Sequence, residues 1–127
     1  MPSPSNCRFA ESHEWFRVEG DVVTIGITQF AANELTDITY VEMKSLGTAL
    51  EPGETVGEVE SVKTTSDVYC AVGGEIIEVN EALDEDPSLL NSDPFGEGWL
   101  IKIRATDLSP LEGLMDQPTY DAQYPVD

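Results

Sequence analysis

The chain has 127 residues, enough for one packed domain, and 40% of them are hydrophobic, as in globular rather than disordered proteins. Its 25 Asp and Glu against 6 Lys and Arg give a formal net charge of −19, which disfavours nucleic acid and anionic membranes as partners because like charges repel. No apolar run approaches the ~20 residues of a membrane span. The two cysteines, Cys7 and Cys70, form no CxxC pair, and with a single histidine, His13, the chain has too few soft ligands to predict a metal centre.

The opening stretch MPSPSNCRF has neither an apolar secretory core nor an Arg-rich amphipathic pattern. A cytoplasmic location is expected, or the mitochondrial matrix for a processed form. EWFRV and VVTIGI, joined by Glu19-Gly20-Asp21, predict a hairpin over residues 14–27. Thr28 is placed to cap a short helix, TQFAANEL, with Ala31 and Leu35 one turn apart. Ile38–Met43 alternates as a strand, and Glu51-Pro52-Gly53-Glu54 is a turn signal. Three strands follow, over 56–62, 66–72 and 75–79, with Gly73-Gly74 predicted as the second turn between them. Cys70 falls in the apolar run DVYCAV, which predicts a buried thiol rather than the nucleophile of a Cys70–His13 pair.

Residues 80–98 are polar and rich in turn formers, and WLIKIRA then predicts another strand. A C-terminal helix is predicted from Ser109 as cap, Pro110 at its first position and Glu112 completing a capping box. Leu111, Leu114 and Met115 would form its apolar stripe, and the tail after Pro118 would add one more turn. These elements predict a mainly β domain, a sandwich or flattened barrel, with two or three short helices including the C-terminal one.

The chain has three lysines. Lys44 and Lys102 lie in or beside predicted strands, whereas Lys63 falls where a hairpin tip is expected. That tip, Val62-Lys63-Thr64-Thr65, contains none of the Gly, Asn or Pro that ordinarily make tight turns. Spacing alone leaves Lys63 a solvated surface lysine.

The wider pattern says more. ESVKTTSDVY followed by GGEIIEVN resembles the lipoyl-attachment segment of the glycine cleavage system H protein family. SHEWF, VVTIGITQFAANEL, DITYVEM and NSDPFGEGWLIKI, in that order and spacing, carry the resemblance from about Phe9 to Tyr120. The chain departs from the family at Leu35-Thr36-Asp37, where Gly is usual for Thr36, at Met43–Gly47, and at Cys70, where serine is common.

The resemblance implies a single lipoyl-carrier domain, residues 1–127 with its core over about 9–120, in a barrel-sandwich hybrid fold. It implies lipoate in amide linkage to Lys63. It implies no catalytic residue, only the role of carrier: an aminomethyl group is received from glycine decarboxylase (P protein) and passed on to the aminomethyltransferase (T protein). Dihydrolipoamide dehydrogenase (L protein) then restores the disulfide, and lipoate-attaching enzymes load the arm. Ser12, Glu14 and Asp67 are implied around a cleft that receives the arm, where carboxylates would hold a cationic amine. Glu60 is expected as a feature read by the attaching enzyme. Without the resemblance, Ser12 could cap a turn, Glu14 and Asp67 are ordinary surface acids among 25, and Glu60 is the solvated face of a strand; His13 beside Trp15 is expected to be structural. A monomer is expected. A biotin acceptor is disfavoured, because Val62 and Thr64 stand where methionines would flank the lysine. A lipoyl domain of an oxo-acid dehydrogenase would normally sit in a longer chain with linkers and catalytic domains; a lipoyl relay role, handing lipoate to other enzymes, stays open, as does an acidic interaction protein of the same fold that carries no arm.

Overall fold

In the computed structural model, residues 7–124 are described; the leader-free reading of Met1–Asn6 and the outermost ends of the expected 1–127 domain lie outside them. Two antiparallel sheets form the molecule. The larger runs β1 (Cys7–Phe9), β2 (Glu14–Glu19), β3 (Val22–Ile27), β9 (Ile101–Ala105), β8 (Gly74–Val79) and β5 (Ala49–Leu50) side by side. The smaller orders β4 (Ile38–Met43), β6 (Thr55–Ser61) and β7 (Thr65–Tyr69). Val23, Ile25, Ile76, Ile101 and Ile103 of the first sheet meet Val41, Val59 and Val68 of the second, and these facing rows form the core. This is the predicted mainly β carrier fold, with a few short helices.

A second, smaller cluster lies on the opposite face of β1–β3. Phe9, Trp15 and Tyr120 pack there, Phe9 stacked on Tyr120 with centroids 4.8 Å apart. Trp15 pairs with Gly26 across β2 and β3, and a Cβ at Gly26 would stand 2.5 Å from the Trp15 ring. Glycine is needed at that position so the indole can lie flat on the sheet.

Much of the chain folds as its sequence predicts. The 14–27 hairpin forms with Gly20 at φ 64°, and Thr28 caps α1 (Gln29–Leu35), accepting the Ala31 N–H. Within α1 the buried residues are Ala32 and Leu35, while Ala31 is only half-buried. Glu54 N–H donates to the Glu51 carbonyl and Gly53 takes φ 91°, the turn expected of Pro-Gly.

Three expectations are corrected. Gly73-Gly74 makes no hairpin turn, because β7 and β8 belong to different sheets. Gly74 is instead a close-approach position, where a Cβ would come within 2.2 Å of the Arg104 carbonyl oxygen. Residues 80–98 contain two helical turns, α2 (Ala82–Glu85) and α3 (Leu89–Ser92), which bury Leu83 and Leu90. The capping box at Ser109 does not form. The Ser109 hydroxyl donates back to Asp107 (2.9 Å), Ser109–Gly113 is a 3₁₀ turn, and Met115 pairs as extended backbone with Phe9. The C-terminal helix is α4 (Gln117–Gln123), capped by Asp116 and with Pro118 in its first turn.

Candidate functional site

Lys63 stands at the tip of the β6–β7 hairpin, exposed, with Val62 beside it 69% exposed. The tip turns without glycine because Ser61 does the work. Its hydroxyl accepts the N–H groups of Lys63 (3.2 Å) and Thr64 (3.1 Å), and its own N–H reaches the Thr64 carbonyl at 2.8 Å. The side chain thus satisfies the turn's backbone donors, a serine turn that a search for Asn-Gly overlooks. Val62 N–H donates to Asp37 at 3.0 Å and ties the tip to the start of β4.

Among the described residues the amine itself has one partner, the backbone carbonyl of Glu34 at 3.2 Å, in the last turn of α1. Carbonyls there lack helical partners and carry the negative end of the helix dipole. Asn91 of α3 holds this end of α1 by donating to the Thr36 carbonyl (2.6 Å) and accepting from Ile38 N–H (3.1 Å). Neither Ser61 nor Asn91 is singled out by sequence; a serine one residue before a glycine-free tip is the available signal. The three lysines differ in their surroundings. Lys44 is 3.8 Å from the Glu54 carboxylate and Lys102 lies 5.3 Å over the Trp99 ring, while Lys63 has no ionic partner among the described residues.

Glu14 opens β2 and is 1% exposed. One carboxylate oxygen accepts the Ser12 hydroxyl; the other accepts the Tyr69 N–H at 3.2 Å, on the free edge of β7. Burial pushes the Glu14 carboxyl above its usual range, and these two bonds oppose the shift. Ser12 and Glu14 are therefore brought together, across from β7. Asp67 lies two residues before Tyr69 on that strand, exposed, with no hydrogen bond or ion pair to Ser12 or Glu14 among the described residues.

Two elements lead from Lys63 to Glu14. Strand β7 starts beside the tip and reaches Tyr69, roughly 13 Å at the usual strand rise. Helix α1 ends at the Lys63 amine and begins at Thr28, whose N–H donates to His13 at 2.9 Å, next to Glu14; seven helical residues span about 10 Å.

On the outer face of the small sheet, Glu42, Glu58 and Asp67 stand in one cross-strand row, and Glu60 pairs with Tyr40 and Thr65 one row nearer the tip. Like charges placed directly opposite one another destabilise a sheet, so this face is strongly electronegative without being structural glue.

His13 and Cys70 do not form a pair. Cys70 is 1% exposed, donates to the Glu51 carbonyl, and its thiol is pushed up by burial. His13 Nδ1 bonds the Tyr120 hydroxyl at 2.8 Å, and burial lowers its pKa against the opposing pull of Glu34. No described helix is long and apolar enough to cross a membrane.

Two antiparallel sheets enclosing a core, with a few short helices, make the fold of the lipoyl and biotinyl carriers. The family model described as glycine cleavage H-protein matches residues 7–125. A glycine cleavage system H protein of Bacteroides thetaiotaomicron is 49% identical over 122 residues, covering 96% of this chain and 97% of that one. One from Thermus thermophilus is 46% identical over 120 residues, covering 94% of each. The crystal structure of a glycine cleavage system H protein from Mycobacterium marinum superposes with a TM-score of 0.88 at 34% identity, covering 98% of this chain and 100% of that one. The chain belongs to the glycine cleavage H-protein family: it is a lipoyl carrier of glycine cleavage, a shuttle rather than an enzyme.

Proposed function

We propose that Lys63 is the residue to which lipoate is joined. The observation that carries this is the state of its amine: exposed, on a tip held in shape by Ser61 rather than by Lys63, and among the described residues bonded only to a neutral carbonyl. Acylation of Lys44 would sacrifice an ion pair, and of Lys102 a cation–π contact. Acylation of Lys63 sacrifices neither, and an amide N–H can still donate to Glu34. The residues present therefore fit the group. When bound, lipoate supplies a disulfide that opens as an aminomethyl unit is received and is restored by oxidation after the unit is handed on.

The chain's own residues position and protect. Strand β7 and helix α1 each run from beside Lys63 towards Ser12 and Glu14, and the arm's course is assigned along them. At its end the Glu14 carboxylate is fixed by the Ser12 hydroxyl and the Tyr69 N–H, preorganised to accept hydrogen bonds from a cationic amine in a site poor in water. Asp67 adds negative potential along β7. Glu60, beside the tip, is a recognition point for the lipoate-attaching enzyme.

The row of Glu42, Glu58 and Asp67 supports docking to positively rimmed partners, glycine decarboxylase, the aminomethyltransferase and dihydrolipoamide dehydrogenase. In this reading the chain is one carrier domain, monomeric and cytoplasmic, and tethering gives the arm a high effective concentration at each docked site.

The test is the intact mass of the protein from its host. We expect the addition of one lipoyl group, lost in Lys63→Arg, with the variant folded and inactive in reconstituted glycine cleavage. A Lys63→Arg chain that still carries lipoate refutes the assignment.

A further inference from the structure

One hydroxyl outside the arm's course connects both of its ends. Tyr120 of α4 is 1% exposed, and its oxygen lies 2.7 Å from Thr28 Oγ1 and 2.8 Å from His13 Nδ1. Thr28 is the cap of α1, the helix whose far end meets Lys63. His13 lies between Ser12 and Glu14 and holds a left-handed backbone, φ 72°, which a residue with a Cβ adopts only when its surroundings enforce it. Phe30, Tyr120 and Tyr124 rings surround its imidazole, with centroids 4.7 to 5.9 Å away.

The direction of the hydrogen bonds follows from burial. Thr28 is 0% exposed, and its oxygen already accepts from Ala31 N–H. If Tyr120 donated to Thr28, the threonine proton would be buried without an acceptor among the described residues, a costly arrangement. The satisfied order is Ala31 N–H to Thr28, Thr28 O–H to Tyr120, Tyr120 O–H to His13 Nδ1. This requires a neutral imidazole with its proton on Nε2.

We propose that Tyr120 is a positioning residue for the lipoyl arm: through His13 it fixes the Ser12–Glu14 segment, and through Thr28 it fixes α1 against it. The inference rests on the reading of Ser12 and Glu14 as the arm's receiving end. The role asks no contact of Tyr120 or His13 with the arm. The polar chain makes the C-terminal helix part of the receiving end rather than a lid on spare hydrophobic surface.

The test is Tyr120→Phe, which keeps the ring stacked on Phe9 and removes only the oxygen. In the unloaded protein the readout is hydrogen exchange of the Tyr69 amide, held by Glu14 on a strand that α4 does not touch in the polar chain. The Ile103 amide in the middle of the large sheet reports global opening. Of the two hydrogen bonds this removes, the one to His13 leads to Glu14, and we expect Tyr69 exchange to rise roughly three- to tenfold relative to Ile103, the loss of that one neutral bond. In the loaded protein, release of the aminomethyl cargo to water should accelerate by a similar factor, with the rate of lipoylation unchanged. His13→Asn restores an acceptor near the Nδ1 position and tolerates positive φ, so it should behave like the parent in both assays. If Tyr69 exchange in Tyr120→Phe follows Ile103, the positioning role is refuted and Tyr120 is only packing. If Tyr69 responds but the cargo lifetime does not, the coupling stands and the assignment of Glu14 as receiving end fails instead.

Discussion

Replacing Glu14 by glutamine separates the stability of the buried carboxylate from its use. In the parent, two hydrogen bonds end on a buried anion, from the Ser12 hydroxyl and the Tyr69 N–H. Glutamine has the same shape. Its oxygen can accept from Tyr69 while its amide donates to the Ser12 oxygen, so both contacts survive as neutral bonds. Charge-assisted bonds are worth about twice neutral ones, so the exchange loses about 1–2 kcal/mol; removing a buried charge returns a similar amount. The expected net change at neutral pH is within about 1 kcal/mol, or roughly 4 °C in Tm. Glu14→Ala differs: it orphans the Tyr69 N–H and opens a cavity, together about 3 kcal/mol and a loss of roughly 10 °C.

The pH dependence is a second signature. A carboxyl whose folded pKa is raised favours folding when protonated. The parent therefore loses stability as pH rises from about 4.5 through the raised value, and Glu14→Gln lacks this slope. Function should show the reverse of stability. The cationic cargo loses its anion, and its release to water should accelerate roughly tenfold or more in Glu14→Gln. Thermal melting by circular dichroism and the cargo lifetime measure the two effects. A Glu14→Gln variant that melts as low as Glu14→Ala would falsify the hydrogen-bond account, and an unchanged cargo lifetime would remove Glu14 from the receiving end.

Gly26→Ala places a methyl group 2.5 Å from the buried Trp15 ring and should cost about 2–3 kcal/mol, read as a lower urea midpoint with unchanged slope. Ser61→Ala removes the acceptor of two tip N–H groups; about 1 kcal/mol of stability should go, with faster exchange of the Lys63 and Thr64 amides and slower lipoylation. His13 has a lowered pKa, so its contribution to stability is complete above about pH 6.5 and declines as pH falls below that value. His13→Asn should remove that decline from a pH series of denaturation midpoints.

The sequence was legible wherever one residue type has one conformational use. Gly20 and Pro52-Gly53 mark turns and Thr28 marks a helix start, and each is found where expected. Glycine also serves close approach, which is why Gly73-Gly74 misleads: what matters at Gly74 is the Arg104 backbone, remote in sequence. Ser109-Pro110 misleads for a local reason, since Asp107 competes for the serine hydroxyl and Gly113 ends the turn. Asp116 with Pro118 carries the same start signal and does cap a helix. The place of Lys63 at a hairpin tip was legible from the strand runs on either side of it. The Ser61 turn, the Asn91 clasp and the Tyr120 node were not, because each joins residues whose proximity only the folded chain creates.

The Glu14 contact to Tyr69 also bears on how the protein behaves in a crowd. Strand β7 is the rim of its sheet, and a rim with open N–H groups invites a strand from another molecule. A carboxylate already seated on one of those groups, with Asp67 projecting nearby, leaves an incoming backbone carbonyl facing negative charge where it needs a donor. The group that would hold cargo thereby also discourages the carrier from polymerising.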